Sequence, residues 1–226
     1  IVVAIILIVV YRSPILWVLP LFTAATALGF ATMIVYYLAK ANVIDLNGQT
    51  QGILDVLVLG AATDYALLLI SRYREELHQH KSRFVAMSVA LRGVVEPIIA
   101  SGSTVIAGLM VLLLSDLSSN RGLGPVGSIG IACAMFAALT LLPSLLVLFG
   151  RWIFWPKKPR FDTEDEKLSG LWAKVGDWVD RKPKPIWIST ALLLIIFAGF
   201  STTLKTDGLA QTDAFTSKPD AVIGLA

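Results

Sequence analysis

An aspartate and a tyrosine stand side by side within a run of apolar residues. Asp64 and Tyr65 belong to the stretch VLVLGAATDYALLLISRYREEL, residues 56–77. A carboxyl group binds and releases a proton, and a phenol hydroxyl both donates and accepts hydrogen bonds. Burial among apolar side chains penalises the charged form of a carboxyl group. Proton binding and release is therefore the chemistry that this pair of residues predicts.

The depth of Asp64 supports that interpretation. Residues 53–71 are long enough to cross a bilayer if the acid is tolerated, because a spanning helix needs roughly 20 mostly apolar residues. On a helix that rises 1.5 Å per residue, Asp64 lies about 16 Å from Ile53 and about 12 Å from Arg72. A charged carboxylate near the middle of a bilayer costs about 2.5 to 3.5 kcal/mol. Such residues are expected to face other helices rather than lipid.

Small and polar residues recur at helical spacing around this acid. Gly60, Asp64, Leu68 and Ser71 share one stripe of a helix. Two later segments carry similar stripes, which are Ser101, Thr104 and Gly108 in one and Gly124, Gly127, Gly130 and Ala134 in the other. Small residues allow helices to approach closely. The pattern predicts a tight bundle in which Asp64 points into a polar seam.

Asp64 and Tyr65 cannot bond to each other, since residues i and i+1 do not face each other on a helix. Each needs a partner on another helix, and a related later span with the same pair would supply both partners. Two alternatives remain open: Asp64 serves helix packing alone, held by hydroxyl groups, and Tyr65 is a core aromatic. Asp55 is half a turn out of phase and is predicted to be a residue of the outer interface.

The composition identifies the surroundings of these residues as lipid. The chain has 226 residues, of which 56% are hydrophobic and 15% charged, whereas soluble domains carry about 25% charged residues. Four charge-free runs are long enough to span a bilayer, namely 13–39, 97–115, 122–150 and 185–204. With 53–71 they predict an all-α polytopic membrane protein. Residues 1–10 lack the features of a signal peptide, and we expect them to end another span of a longer protein.

Lysine and arginine residues set the orientation of the spans. If the spans alternate with Arg12 inside, fifteen of the 19 basic residues fall on the cytoplasmic side and four on the outer side. The net charge of +3 is then a signal of topology, and it does not indicate a nucleic-acid partner. Four tryptophans lie beside the inner ends of spans, as is typical of the headgroup level: Trp17, Trp152, Trp155 and Trp187.

Two inner segments are predicted to be helical. The first follows Arg72 and ends at Glu96-Pro97. The second begins with a capping-box pattern at Thr163 and Glu166, and its apolar residues fall on one helical face: Leu168, Leu171, Trp172, Val175 and Val179. That face predicts a helix lying in the inner interface, with a solvated connector as the alternative. After Leu204 the sequence becomes polar and rich in turn residues, which predicts an outer domain or a disordered tail.

Enzymatic alternatives fit the sequence less well. An aspartyl protease needs two carboxyl groups that share a proton, and the spans contain one deep aspartate. His78 and His80 lie in a predicted inner loop, far from Ser101, so they indicate neither serine chemistry nor a metal site but solvated loop residues. Cys133 lies within a span and is predicted to serve packing. We therefore expect no enzyme and no metal.

Gly60 to Leu77, GAATDYALLLISRYREEL, closely resembles the fourth-span signature of the MMPL family, within the RND superfamily. The segments VYRSPILWVLPL, NGQTQGILDVLVLG and DAFTSKPDAVIG are also similar to that family. Ala62 departs from the glycine that many members carry. The resemblance implies an RND-type transmembrane helix bundle divided as follows: 1–150 the first-half bundle (a partial span 2, then spans 3 to 6), 151–185 a cytoplasmic interfacial linker helix, 186–204 span 7, and 205–226 the start of a second extracytoplasmic α/β porter domain.

The resemblance also implies a function. Members of the family export lipids or other hydrophobic molecules across the bacterial inner membrane, with the proton gradient as energy source and no cofactor. Asp64 and Tyr65 match the first half of the family's proton relay. The implied partners are a hydrophobic substrate and membrane lipids, and a homo-oligomer or accessory proteins of the cell envelope are compatible with it. The alternative is a non-transporting lipid- or sterol-sensing domain, against which a second Asp-Tyr pair would argue.

Overall fold

A computed structural model describes residues 16–44, 48–115, 118–155, 159, 161 and 171–201. The helices are α1 (Val18–Lys40), α2 (Gly48–Gln79), α3 (Arg83–Val111), α4 (Ser118–Phe149), α5 (Leu171–Arg181) and α6 (Pro183–Ser201), with 3₁₀ turns at Leu112–Leu114 and Gly150–Phe154. The described ranges contain no strand, which confirms the all-α fold class for them. Residues 1–10, the predicted capping box at Thr163 and Glu166, and the predicted outer domain at 205–226 lie outside the described residues.

Five helical stretches are long and apolar enough to cross a membrane. They are Val18–Lys40, Gly48–Gln79, Arg83–Leu114, Asn120–Phe154 and Pro183–Ser201. Each overlaps one of the five runs predicted from the sequence. Helices are suited to the bilayer core because they satisfy their backbone hydrogen bonds internally, and no water is present there to bond to exposed backbone groups. The chain is therefore a multi-pass membrane protein.

The spanning helices continue further inward than the sequence predicted. α2 extends to Gln79, and α3 begins at Arg83 and runs through Pro97. The predicted helical character of this inner segment is confirmed, but the predicted end of the helix at Glu96-Pro97 is wrong, because α3 continues into the span. Proline removes one hydrogen bond from a helix, but a spanning helix tolerates that loss when its neighbours support it. α4 likewise continues through Pro125 and Pro143.

The chain divides into two compact units, Ile1–Asp165 and Glu166–Ala226. In the first unit α4 packs against α1, α2 and α3. Its predicted stripe of small residues is buried: a Cβ atom on Gly130 would lie 2.6 Å from Leu54 Cδ1, and one on Gly124 would lie 2.8 Å from the Leu109 carbonyl oxygen. Backbones thus approach closely along this stripe, as the sequence predicted.

The second unit contains α5 and α6, which a single residue, Lys182, separates. The predicted helix between 163 and 182 is confirmed from Leu171 onward. Val175 and Val179, two residues of its predicted apolar face, are exposed, and Trp178 is exposed as well. Its location in the inner interface stays a prediction.

The tight approach at Gly124 gives a test of the packing. We expect Gly124→Ala to destabilise the bundle by about 1 to 3 kcal/mol, because the added carbon overlaps a backbone oxygen that cannot rotate away. The measurement is the fraction of natural full-length protein, solubilised in detergent, that stays monodisperse after heating. Gly29→Ala is the matched control, since a Cβ atom there meets nothing within 4 Å and alanine favours the helix. Equal stability of the two variants would contradict the packing.

Candidate functional site

Asp64 lies in the middle of α2, on a face that the other described helices do not cover. The opposite side of α2 is buried in the core through Leu54, Val58, Ala62, Ala66 and Leu69. Gly60, Asp64, Leu68 and Ser71 are all exposed. The predicted stripe is therefore confirmed as one shared face. We name these four residues the acidic stripe.

The neighbouring helix α3 presents its own exposed stripe of small and polar residues. Ser101, Thr104 and Gly108 are exposed together, as predicted. The Thr104 hydroxyl donates to the Ala100 carbonyl at 2.8 Å and is thus satisfied within its own helix. Small side chains and satisfied hydroxyl groups suit this face for close contact with another helix.

Tyr65 joins α2 to α3. Its side chain is buried, and its hydroxyl lies beside the Ser101 side chain of α3. Tyr65 thus has a neighbour on another helix, as the geometry of adjacent residues required. Because Asp64 is the next residue along α2, the approach of Tyr65 to Ser101 lies at the depth of the carboxyl group.

The Asp64 carboxylate forms no hydrogen bond or ion pair with any residue that the structure describes. The small and polar residues that were predicted to form one seam lie on two separate faces. The stripe of α4 that begins at Gly124 lies inside the bundle, whereas the acidic stripe lies on an open face. The expectation that Asp64 points into a packed seam with that α4 stripe is therefore wrong for the described helices, because α2 packs against α4 with another face.

Two further predictions concern residues near the site. Asp55 is exposed near the start of α2, where it accepts a hydrogen bond of 3.0 Å from Gln51 Nε2. This position agrees with the predicted outer interface. Cys133 packs against the hydrophobic core, which confirms its predicted role.

A charged cluster at the inner end of α2 was missed by the sequence analysis. Glu76 is only 2% exposed, and its Oε1 lies 2.8 Å from Arg72 Nη2. Arg72 Nη1 also donates to Glu75 Oε2 at 2.8 Å. The spacing of Arg72 and Glu76 by four residues is typical of a helical ion pair, but nothing in the sequence indicates that Glu76 is buried.

One of the two histidines lies in a helix and the other in the predicted loop. His78 belongs to α2, whereas His80 follows Gln79, the last residue of α2, with Nδ1 3.3 Å from Glu76 Oε2. The predicted loop location is therefore wrong for His78 and confirmed for His80, and both side chains are half-buried. The described part of the chain brings no three histidine, cysteine or acidic side chains together in a way that would hold a metal. The chemistry that remains at Asp64 is the binding and release of a proton.

Helices of membrane length, with a carboxyl group at the middle of one of them that pairs with no described residue, define a polytopic membrane protein with an intramembrane acidic residue. The sequence profile of the MMPL family matches residues 1–186, and the chain belongs to that family. It is a multi-pass protein of the bacterial inner membrane.

Relatives of the chain come from several bacteria. It is 50% identical over 219 residues to the putative membrane protein ActII-3 of Streptomyces coelicolor, covering 97% of this chain and 31% of the relative. It is 36% identical to the apo-petrobactin exporter of Bacillus anthracis, covering 88% and 28% of the two chains. It is also 36% identical to the sulfolipid-1 exporter MmpL8 of Mycobacterium tuberculosis, covering 86% and 17%. The chain thus spans less than a third of the length of these relatives.

A hydrogen bond from Tyr65 to Ser101 is expected from their proximity and is testable with a double-mutant cycle. We expect Tyr65→Phe and Ser101→Ala to be coupled by about 0.5 to 1.5 kcal/mol, because either change removes the same bond. The measurement is thermal unfolding of the full-length protein in detergent.

The matched control pairs Tyr73→Phe with Ser101→Ala. The Tyr73 hydroxyl is buried and has no hydrogen-bond partner among the described residues, so this pair should be additive. Additive losses for the Tyr65 pair as well would show that the bond contributes nothing.

Proposed function

We propose that the natural full-length protein exports lipids or other hydrophobic molecules, driven by the proton gradient, and that Asp64 and Tyr65 form part of its proton relay. The observation that supports the proposal most is the position of Asp64. Its carboxyl group lies in the middle of a spanning helix and is paired with no described basic residue.

A carboxylate without a counter-ion has two forms of very different cost in a membrane. The ionised form carries a penalty of about 2.5 to 3.5 kcal/mol at the middle of a bilayer. Protonation removes the charge and with it most of that penalty. A permanent ion pair would abolish this difference, since a fixed cation would stabilise the ionised form in every state. The absence of such a pair among the described residues leaves Asp64 able to respond to the proton supply.

The proton gradient provides enough free energy for such a cycle. One elementary charge that crosses the membrane potential yields about 2.3 kcal/mol per 100 mV. Asp64 would take up a proton from the outer side and release it inward. Tyr65 would hold α2 against α3 through Ser101, so that a change of charge at Asp64 acts on both helices.

The names of two relatives indicate the class of molecule that is exported. One is named for the export of sulfolipid-1 and another for the export of apo-petrobactin. Export of a hydrophobic or lipid-like molecule is the activity that we carry over to this protein. The particular molecule is not part of the proposal.

The test is Asp64→Asn in the full-length protein, expressed in its natural host. Asparagine keeps the size of the side chain but cannot carry a charge, so we expect export to be abolished while the amount of protein in the membrane stays unchanged. The measurement is the profile of extracellular lipids in cells with wild type, variant or no protein. A protonophore should reduce the wild-type profile to that of the Asp64→Asn cells.

Asp55→Asn is the matched control. It makes the same chemical change on the same helix, but at an exposed position near the outer end, and it should leave export within about twofold of wild type, as is usual for surface substitutions. Export by Asp64→Asn at the wild-type level would refute the relay. A wild-type profile that neither the protonophore nor deletion of the protein alters would favour a sensing role instead.

A further inference from the structure

An arginine after the end of α4 donates to one carbonyl group in the last turn of α2 and to two in the loop that follows it. The final four carbonyl groups of a helix lack partners within the helix. Arg151 Nη2 donates to the Leu77 carbonyl at 2.9 Å and to the His80 carbonyl at 2.7 Å, and Arg151 Nη1 donates to the Lys81 carbonyl at 2.9 Å. A positive charge at this end of a helix is also favoured by the helix dipole.

A second arginine connects the start of α3 to the last turn of α4. Arg83, at the start of α3, donates from Nη1 to the Leu148 carbonyl at 3.2 Å, in the last turn of α4. Gly150 allows both contacts. Its φ of +58° turns the chain after α4, and a Cβ atom there would lie 3.3 Å from Arg83 Cδ and 3.4 Å from Arg83 Nη1, closer than most side chains tolerate.

Apolar contacts close the same junction. In the 3₁₀ turn Gly150–Phe154, which follows α4, Ile153 and Phe154 are buried. The ring of Phe154 lies 6.2 Å from the ring of Tyr73, centroid to centroid. The ends of α2 and α4 are thus joined by hydrogen bonds from a charged group and by a buried aromatic pair. We name this junction the inner clamp.

We propose that Arg151 is a positioning residue that makes the inner ends of α2 and α4 move as one unit. The proposal rests on the proposed function, because the motion in question begins at Asp64 on α2. A helix is a stiff rod, and Arg151 acts on it about 20 Å from Asp64, measured as 13 residues from Asp64 to Leu77 at 1.5 Å each. Arg151 therefore transmits the motion of α2 without taking part in proton binding.

The first experiment measures the clamp itself and needs no substrate. Amide hydrogen exchange is followed in the full-length protein over the segments 77–86 and 148–155. In Arg151→Gln we expect exchange at least about tenfold faster in both segments, because hydrogen bonds to a charged group are lost. Arg151→Lys, which keeps the charge but not the planar fork, should fall between Gln and wild type. Arg92→Gln, an exposed arginine of α3, is the matched control and should match wild type.

The second experiment separates positioning from proton binding. Lipid export is measured in the same variants as a function of external pH. In Arg151→Gln we expect the maximal rate to fall about tenfold, while the pH that gives half of that rate stays unchanged. Arg151→Lys should recover part of the rate. Arg83→Gln removes one hydrogen bond only, so it should speed amide hydrogen exchange and lower the maximal export rate by less than Arg151→Gln does. It replaces Arg151→Gln in both experiments if that variant does not accumulate in the membrane.

Three results would overturn the inference while leaving the relay intact. The first is unchanged exchange in segment 148–155, which would reduce Arg151 to a cap of α2. The second is a maximal export rate in Arg151→Gln that equals the wild-type rate although amide hydrogen exchange is faster. The third is a shift of the half-maximal pH, which would make Arg151 part of proton binding. Failure of the relay itself has a different signature, namely wild-type export that a protonophore does not change.

Discussion

The structure depends on one constraint, which is that the core of a bilayer offers no partner to a polar group. Hydroxyl side chains of the spans satisfy it by donating to their own helix: Thr23 to the Leu19 carbonyl, Thr63 to Leu59 and Thr140 to Phe136. Asp64 does not satisfy it, since its carboxylate bonds to no described residue. In an environment where unpaired polar groups are costly, a carboxyl group without a described partner supports the proposal that Asp64 serves function rather than packing.

The same constraint shapes the packing. Lipid is as apolar as leucine, so helices gain little from burying large apolar side chains against each other and associate instead through close contact. α4 shows this most clearly, because its glycines at 124 and 130 bring it against Leu109 of α3 and Leu54 of α2. α2 therefore has a fixed side toward α4 and an open side that carries Asp64. A change of charge on the open side does not need to disturb the core.

The sequence predicted the features that depend on local pattern. Charge-free length predicted four spans and apolar length the fifth, and the helical period of 3.6 residues placed Gly60, Asp64, Leu68 and Ser71 on one face. It failed where the answer depends on distant segments. The burial of Glu76, the continuation of α3 through Pro97 and the bonds from Arg151 to carbonyls up to 74 residues away follow from tertiary contacts. Local pattern likewise showed which residues share a face, but not which face another helix covers.

α2 carries both the acidic residue and the contacts of the inner clamp. The middle of α2 holds Asp64, whose free-energy cost in the membrane changes with protonation. The inner end of α2 is hydrogen-bonded to Arg151, in the segment that follows α4. A helix with intact backbone hydrogen bonds is a stiff rod, so the proposed relay implies that a shift of α2 at Asp64 reaches Leu77 at its inner end. Had the inner end been free, that shift would be lost in the loop before α3. In the proposed arrangement the bonds made by Arg151 direct the shift into the end of α4, so that a change of charge at Asp64 has mechanical consequences beyond the contacts of α2 itself.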